Sequence, residues 1–555
     1  MTTWRTHSCV PRSHSCERLL LAVENSLATL ARRKTLAILL VGLTSLAARA
    51  LLLPILPVPK PAIQDEFSYL LAADTFASGR LANPTPAFPE HFETLQVLMH
   101  PTYASKYPPL SGLVLALGQK LAGQPWFGIL LATGLLSAAI CWALQGWLPA
   151  PWALAASAIA VVQIGIVSYW TESYWGGTCA AIGGALLIGA VPRLIRRPSP
   201  WPALAFAAGL AALANTRPYE GLVLAIVCSA GLVYGFWRRR LGIGLLAKSA
   251  ILPAAALLVP VLAWMAYYNY RVTGNPFELP YVEHERQYAI WSPLLWHTAP
   301  GPTPAYSNSF LEYFWTQADS HDKLEAREHL LKTHVSDLFH LGRFYLGLPL
   351  MICMLGFARP LWKDPTARSA FFLLAAFYAG AALDARLFPH YAAPAAALAY
   401  ILAGCTLRAA RNAWPGRFSE RIYVPWALMS ALVAIAALGL LSPDNRYLFG
   451  SIDYHVRAKR ASVMEKLESV PGDHLVLVRY GPQHEPYEEF VYNRADIDRS
   501  RVIWARSLSP QKDLRLIESY PARQVWLLDD DQDLKLTRLI TSSDKGTMIT
   551  QLQYE

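Results

Sequence analysis

Charge is the scarcest commodity in this chain. Only 16% of its 555 residues are charged, against 54% hydrophobic. That leaves too little polar surface for an ordinary soluble enzyme of this length. Cysteine is sparse and unpatterned. Cys9, Cys16, Cys141, Cys179, Cys228, Cys353 and Cys405 include no pair at metal-ligand spacing, and none falls in the extracytoplasmic stretches assigned below. A disulfide framework is therefore not expected, and the thiols read as inert and buried. Also missing are a short-period repeat and, in the C-terminal region, a glycine-rich phosphate loop, which argues against a nucleotide site there.

What is present is apolar sequence in long runs. The mean hydropathy of +0.26 is modest for a membrane protein, so many membrane helices are expected together with a sizeable water-exposed portion. The net charge of +10 could suggest nucleic acid. The basic residues, however, sit beside apolar runs rather than in a patch, which fits basic cytoplasmic loops and no nucleic-acid partner. The run from residue 35 to 57 follows a polar N-terminal segment, 1–34, and is long enough to span. It reads as a retained first helix rather than a cleaved signal, despite the faint cleavage pattern at Ala47-Ala48-Arg49-Ala50. Arg49 within it reads as a snorkelling arginine, with substrate contact as the alternative.

Further spans are expected at 126–147, 151–169, 175–192, 201–215, 220–237, 245–268, 342–358, 369–384, 391–407 and 424–442. The segment 109–122 is short and carries Gln119 and Lys120. If it does not cross, every basic cluster falls on the side of Arg32, Arg33 and Lys34: Arg193/Arg196/Arg197, Arg238 to Arg240, Arg359/Lys363/Arg368 and Arg408/Arg411/Arg417/Arg421. If it crosses, all of them fall outside. The positive-inside rule thus selects about eleven crossings, with 109–122 re-entrant or interfacial. The expected fold is mainly α: a polytopic bundle (35–442) with a first outer loop at 58–125, a long outer loop at 269–341, and a small extracytoplasmic α/β domain over 443–555. In that domain 474–480, 501–504 and 524–528 read as strands, and 485–493 and 510–520 have helical character.

This threading gathers polar residues on the outer side. Gln64-Asp65-Glu66 opens the first loop, Thr171-Glu172-Ser173 sits in the second outer turn, and Asn215-Thr216-Arg217-Pro218-Tyr219-Glu220 in the third. Asp384-Ala385-Arg386 and His390 sit in a later one. Each alone could be an ordinary interface residue, and Asp65-Glu66 also suits a helix start. Gly176-Gly177 and Gly183-Gly184 suit close helix packing.

A first-loop acidic pair, followed by Tyr107-Pro108-Pro109-Leu110 and a short apolar helix, resembles the GT-C superfamily of membrane glycosyltransferases. The nearest look is to bacterial relatives of protein O-mannosyltransferases and aminoarabinose transferases, over the chain up to about residue 407. The resemblance implies transfer of a sugar from a polyprenyl-phosphate donor to an envelope acceptor (lipid, glycan or protein) at the periplasmic face of a bacterial inner membrane. It makes Asp65 the catalytic carboxylate, with Glu66 beside it and Glu172 as the second acid, where the family more commonly has aspartate. A carrier phosphate leaves as a stable anion, so one carboxylate suffices as base, with inversion expected. Lys106, Arg217 and Arg386 are the candidates to hold phosphate, with lipid headgroups as their alternative partner. Tyr107, Tyr219, Glu220 and His390 complete the candidate substrate-binding set. No cofactor is assigned; a divalent metal of the kind some members use stays open, with Glu283, His284 and Glu285 as its candidate ligands. Two other readings stay open. A polar-lipid transporter or flippase would place charge near the bilayer midplane; a non-catalytic scaffold would tolerate loss of Asp65.

Overall fold

The computed structural model describes residues 12–166, 168–413, 429–435, 454–481, 484–485, 488–529 and 534–539. Over these the protein is mainly helical. Seven helices are long and apolar enough to cross a membrane: Lys34–Leu51, Trp126–Trp147, Thr178–Arg196, Pro218–Arg238, Ile243–Thr273, Leu330–Gly356 and Ala393–Asn412. Shorter apolar helices run over Ala150–Ile166 and Pro200–Ala214, and Pro365–Ala381 completes the set. Of the expected span 424–442, only 429–435 lies within the described residues, and it is helical. Arg417 and Arg421 lie outside them.

The outer girth of the bundle is apolar, as lipid requires. Leu39, Leu43, Ile226, Val233, Val259, Leu262, Ile352 and Leu355 are all exposed. Inside, small residues let helices approach. A Cβ on Gly184 would overlap the Pro394 carbonyl, so this glycine sets the contact between Thr178–Arg196 and the turn Ala393–Ala395.

The basic clusters meet at one end of the bundle, where they tie neighbouring helices together. Arg193 donates to Trp142 O at 2.7 Å, Arg196 to Gly146 O, and Arg411 to both oxygens of Glu24 at 2.8 Å. Glu24 belongs to Arg12–Arg32, so the N-terminal segment is helical over its described residues and packs at this end. Arg49 departs from the expected snorkel. Its side chain is 0% exposed and pairs with Glu172 at 3.0 Å. It donates to Leu56 O at 3.1 Å, and its guanidinium lies 4.7 Å from the Trp126 ring centre. A partner within reach makes burial cheaper than stretching to the interface.

The opposite end carries the loops. Helix Gln64–Ala77 packs against Pro109–Ala122, the short apolar helix, and between them runs a two-stranded ribbon, β1 (Val97–Leu98) and β2 (Ala104–Ser105). The long loop is more helical than its polarity suggests, with Pro280–Tyr288, Ser309–Tyr313 and Asp319–Glu328 preceding Leu330–Gly356.

The C-terminal domain is a four-stranded sheet: β3 (His474–Arg479), β4 (Val502–Arg506), β5 (Gln524–Asp529) and β6 (Lys535–Leu539), in the order β4-β3-β5-β6. The first three are parallel, matching the three expected strands; β6 is an added antiparallel edge. Helices Tyr454–Ser469 and Pro510–Ser519 flank the sheet. The helix expected over 485–493 is absent from its described residues. Phe490, Val491 and Tyr492 are all buried in succession, which a helix with one apolar face cannot do.

This domain sits directly on the first loop. Phe67, Leu71, Phe92 and Val97 share one apolar cluster with Leu475, Leu477 and Ile503. Phe67 stacks on Tyr492 at 4.5 Å, and Arg494 pairs with Asp74 at 2.9 Å. The domain therefore belongs to the loop-bearing end.

Candidate active site

The two first-loop acids divide their labour because neighbours on a helix point about 100° apart. Glu66 is fully buried and serves the backbone. Its Oε2 accepts from Ala62 N at 2.7 Å and Ile63 N at 3.3 Å, capping its own helix, and its Oε1 accepts from Tyr174 N at 3.1 Å. It does not line the cavity. Asp65 does.

That cavity, of ≈ 180 Å³, opens at the loop-bearing end of the bundle. Its wall brings together five carboxylates (Asp65, Glu285, Asp319, Asp322 and Asp384), four cations (Lys106, Arg217, Lys323 and Arg386), His390, and the aromatics Tyr69, Tyr107, Trp175, Tyr281, Trp315 and Tyr391. Residues from every outer loop contribute, so the site exists only in the folded chain.

Tyr107 donates its hydroxyl to Asp65 Oδ1 and stacks on Tyr69 with ring centres 4.4 Å apart. The local sequence fixes this. Pro108 restricts Tyr107 to extended backbone, and Pro109 starts the next helix at a position where its missing N–H costs nothing. Burial pushes the Asp65 carboxyl above the usual carboxylate range, opposed by the Tyr107 hydrogen bond and by Lys106 and Arg217, which favour its ionised form.

Lys106 is buried, with Nζ 3.8 Å from Glu285 Oε1 and 4.7 Å from the Tyr281 ring centre. Burial pulls its ammonium below the ordinary lysine value, against Glu285 and Asp65. Arg217 lies 4.5 Å over Tyr391, with Nη1 3.9 Å from Glu220 Oε1. Arg386 donates to Asp322. His390 shares a 2.8 Å hydrogen bond through Nδ1 with Tyr169 and stacks on Phe388; burial holds it well below the usual histidine range, hence neutral. Asp384 is pushed up to about 7 by burial.

Several expected site residues lie elsewhere. Glu172 pairs with Arg49 rather than lining the cavity. Tyr219 donates to Gly380 O at 2.7 Å, tying two membrane helices together. Glu220 reaches the site only through Arg217. Glu283 pairs with Arg286. His284 is fully buried between Tyr288 and Trp315, and neither ring nitrogen has a hydrogen-bond partner among the described residues. Glu283, His284 and Glu285 thus have three different surroundings, and among the described residues no group of three or more His, Cys, Asp or Glu side chains is arranged to hold a metal ion.

Three charged wall residues were not anticipated: Asp319, Asp322 and Lys323, on one turn of helix Asp319–Glu328. Lys323 Nζ lies 2.8 Å from Asp319 Oδ2 and donates to Trp291 O at 2.7 Å. Burial works against its charge, but Glu285 and Asp319 outweigh that and raise its pKa. In sequence this stretch looks like solvated charge; the one hint is Trp315, an aromatic one turn before it.

No family model matches this sequence, and no curated protein does. Among solved structures, the chain is similar to ArnT from Cupriavidus metallidurans bound to undecaprenyl phosphate (TM-score 0.48, 14% identity, covering 92% of this chain and 96% of that one). It is also similar to the oligosaccharyltransferase of Archaeoglobus fulgidus in the apo form (TM-score 0.47, 11% identity, 80% and 62%). The third is the Archaeoglobus oligosaccharyltransferase AglB in complex with an inhibitory peptide and a dolichol-phosphate (TM-score 0.40, 10% identity, 89% and 69%).

Proposed function

We propose that this protein transfers a sugar from a polyprenyl-phosphate carrier to an envelope acceptor, at the periplasmic face of a bacterial inner membrane. The observation that carries the reading is the cavity: a buried carboxylate, Asp65, within one polar chamber with Lys106, Arg217, Lys323 and Arg386, at the end of an apolar bundle opposite its basic clusters. The positive-inside rule makes the basic end cytoplasmic and the chamber periplasmic, with the N-terminus inside and the C-terminal domain outside. Charge gathered at this end, rather than at mid-bilayer, favours an enzyme over a transporter.

In the proposed reaction the acceptor oxygen forms a bond to the anomeric carbon as the bond from that carbon to the carrier phosphate breaks. The acceptor's proton passes to Asp65, and the electron pair leaves with polyprenyl phosphate, whose charge the cations stabilise. Direct displacement inverts the anomeric centre. Glu66 holds the catalytic helix, and the Arg49–Glu172 pair braces the second outer turn; neither touches substrate. Arg386 and Lys323 are each held by an acid, Asp322 and Asp319, that the phosphate would displace or share. No metal is needed for this step.

The base must be ionised to act, so the rate falls as pH drops through the pKa of Asp65. Tyr107 donates to the ionised form. Removing that bond in Tyr107→Phe raises the pKa further, and the acid limb of kcat/KM against pH is expected to move to higher pH. An unmoved limb would exclude Asp65 as the titrating base. The function itself is tested by mass spectrometry of envelope glycans and lipids from cells lacking the protein. One sugar should be missing, and an unchanged profile would refute the proposal.

A further inference from the structure

The carboxylates of the chamber are not all alike. Glu285, Asp319 and Asp322 each face a cation, respectively Lys106, Lys323 and Arg386. Asp65 is held by the Tyr107 hydroxyl. Asp384 has neither kind of partner among the described residues: its Oδ1 accepts only the backbone N–H of Arg386, at 3.1 Å. Its Oδ2 makes no hydrogen bond and, unlike the sealed polar atoms of the interior, keeps accessible surface. The residue is half-buried on the chamber wall. Its charge acts on Arg217, Lys323, Tyr281 and Tyr391, wall residues that surround it, and on Glu220 behind Arg217.

The fold holds this group still. Residues 383–385 pair with 293–295: Leu295 N donates to Leu383 O at 2.8 Å and Ala385 N to Pro293 O at 3.0 Å. Arg327 in turn clamps Ser292 O and Leu294 O at 2.8 and 2.9 Å. A fixed turn that presents a carboxylate without a counter-ion is unfavourable until a ligand fills the open oxygen. Burial lifts this carboxyl to about 7, so near neutral pH ionised and protonated forms are both present. A hydroxyl, which donates and accepts, suits either form. A phosphate suits the ionised form badly, since like charges repel. The acceptor's hydroxyl must reach Asp65, on the side of the anomeric carbon away from the carrier phosphate. Asp384 instead neighbours Arg217 and Lys323, two of the cations assigned to that phosphate. The hydroxyl within its reach therefore belongs to the sugar.

We propose that Asp384 determines specificity for the carrier-linked sugar by hydrogen-bonding one sugar hydroxyl through Oδ2. This rests on reading the chamber as a donor site.

The test uses the full-length protein in detergent, without acceptor. Affinity is measured for bare undecaprenyl phosphate and for undecaprenyl-phosphate mannose, glucose and N-acetylglucosamine. Wild type should bind at least one sugar-bearing lipid more tightly than the bare carrier. For that lipid, analogues each lacking one sugar hydroxyl are compared in wild type, Asp384→Asn and Asp384→Ala. One analogue should bind wild type roughly tenfold or more weakly, the effect of losing a hydrogen bond to a charged group. Removing the same hydroxyl should cost Asp384→Ala less than about twofold, because its partner is already gone. Asp384→Asn should fall in between; it keeps the Arg386 N–H bond and decides the question if Asp384→Ala folds poorly. Equal losses in all three proteins for every analogue, or a wild type that discriminates no sugar from the bare carrier, would overturn the inference. So would unchanged donor binding in the variants with a raised KM for the acceptor, which would assign Asp384 to the acceptor. A wild type that binds none of the four lipids would instead overturn the donor-site reading on which it rests.

Discussion

Replacing Asp65 with asparagine is expected to abolish transfer, lowering turnover by ~10²–10⁴-fold, the range that a positioned general base supplies. The substitution is nearly isosteric. Asparagine still accepts the Tyr107 hydroxyl through its carbonyl oxygen, so the stack of Tyr107 on Tyr69 is kept. What it loses is the capacity to take a proton. Because burial already disfavours the ionised carboxyl, a neutral amide relieves a cost of folding, and the melting temperature should hold or rise. Turnover and melting measured on the same preparation separate the two effects. Activity within tenfold of wild type would remove Asp65 from the chemistry.

Glu172→Ala should produce the opposite signature. Arg49 is fully buried and Glu172 is its ion-pair partner, so the variant leaves a charge stranded inside the bundle. The expected loss is about 3 kcal/mol of stability, the low end for breaking a buried pair, because the Glu172 side chain keeps 21% of its surface exposed. Exchanging both partners, Arg49→Met with Glu172→Ala, should recover most of it, since no charge then remains unpaired. Turnover per folded molecule should stay near wild type, because Glu172 does not line the chamber. Normal stability with turnover lost would instead return Glu172 to the catalytic role that the family resemblance gives it.

These two acids show how far the sequence could be read. Apolar runs located the membrane helices well: 126–147 has the same bounds in sequence and structure. Thr178–Arg196 runs past the expected end because Arg193 and Arg196 reach across to carbonyls of the neighbouring helix, a contact that hydropathy does not register. Asp65, Lys106, Tyr107, Arg217, Arg386 and His390 do meet in one chamber. They were legible because each stands beside an apolar run on the same side of the membrane. Which of Asp65 and Glu66 would face that chamber was not, since the choice depends on how the helix is rotated against its neighbours. Arg49 and Glu172 are 123 positions apart in the chain, and only the tertiary fold reveals that each is the other's partner. Asp319, Asp322 and Lys323 escaped notice because a charged helix facing a polar cavity has the same composition as one facing water. The seat of the C-terminal sheet on Phe67 and Leu71 was equally hidden, because first-loop residues that bury against protein look like ones that bury against lipid.

The central claim is that the donor is a sugar joined to a single carrier phosphate, cleaved between the anomeric carbon and the phosphate oxygen. It is tested most directly by incubating the purified protein in detergent with undecaprenyl-phosphate sugars and an envelope extract, then identifying the lipid product by mass spectrometry. The account predicts that wild type releases undecaprenyl monophosphate in step with the appearance of glycosylated acceptor, and that Asp65→Asn does neither. Intact lipid sugar after incubation with the wild type, or equal release by the two proteins, would contradict it.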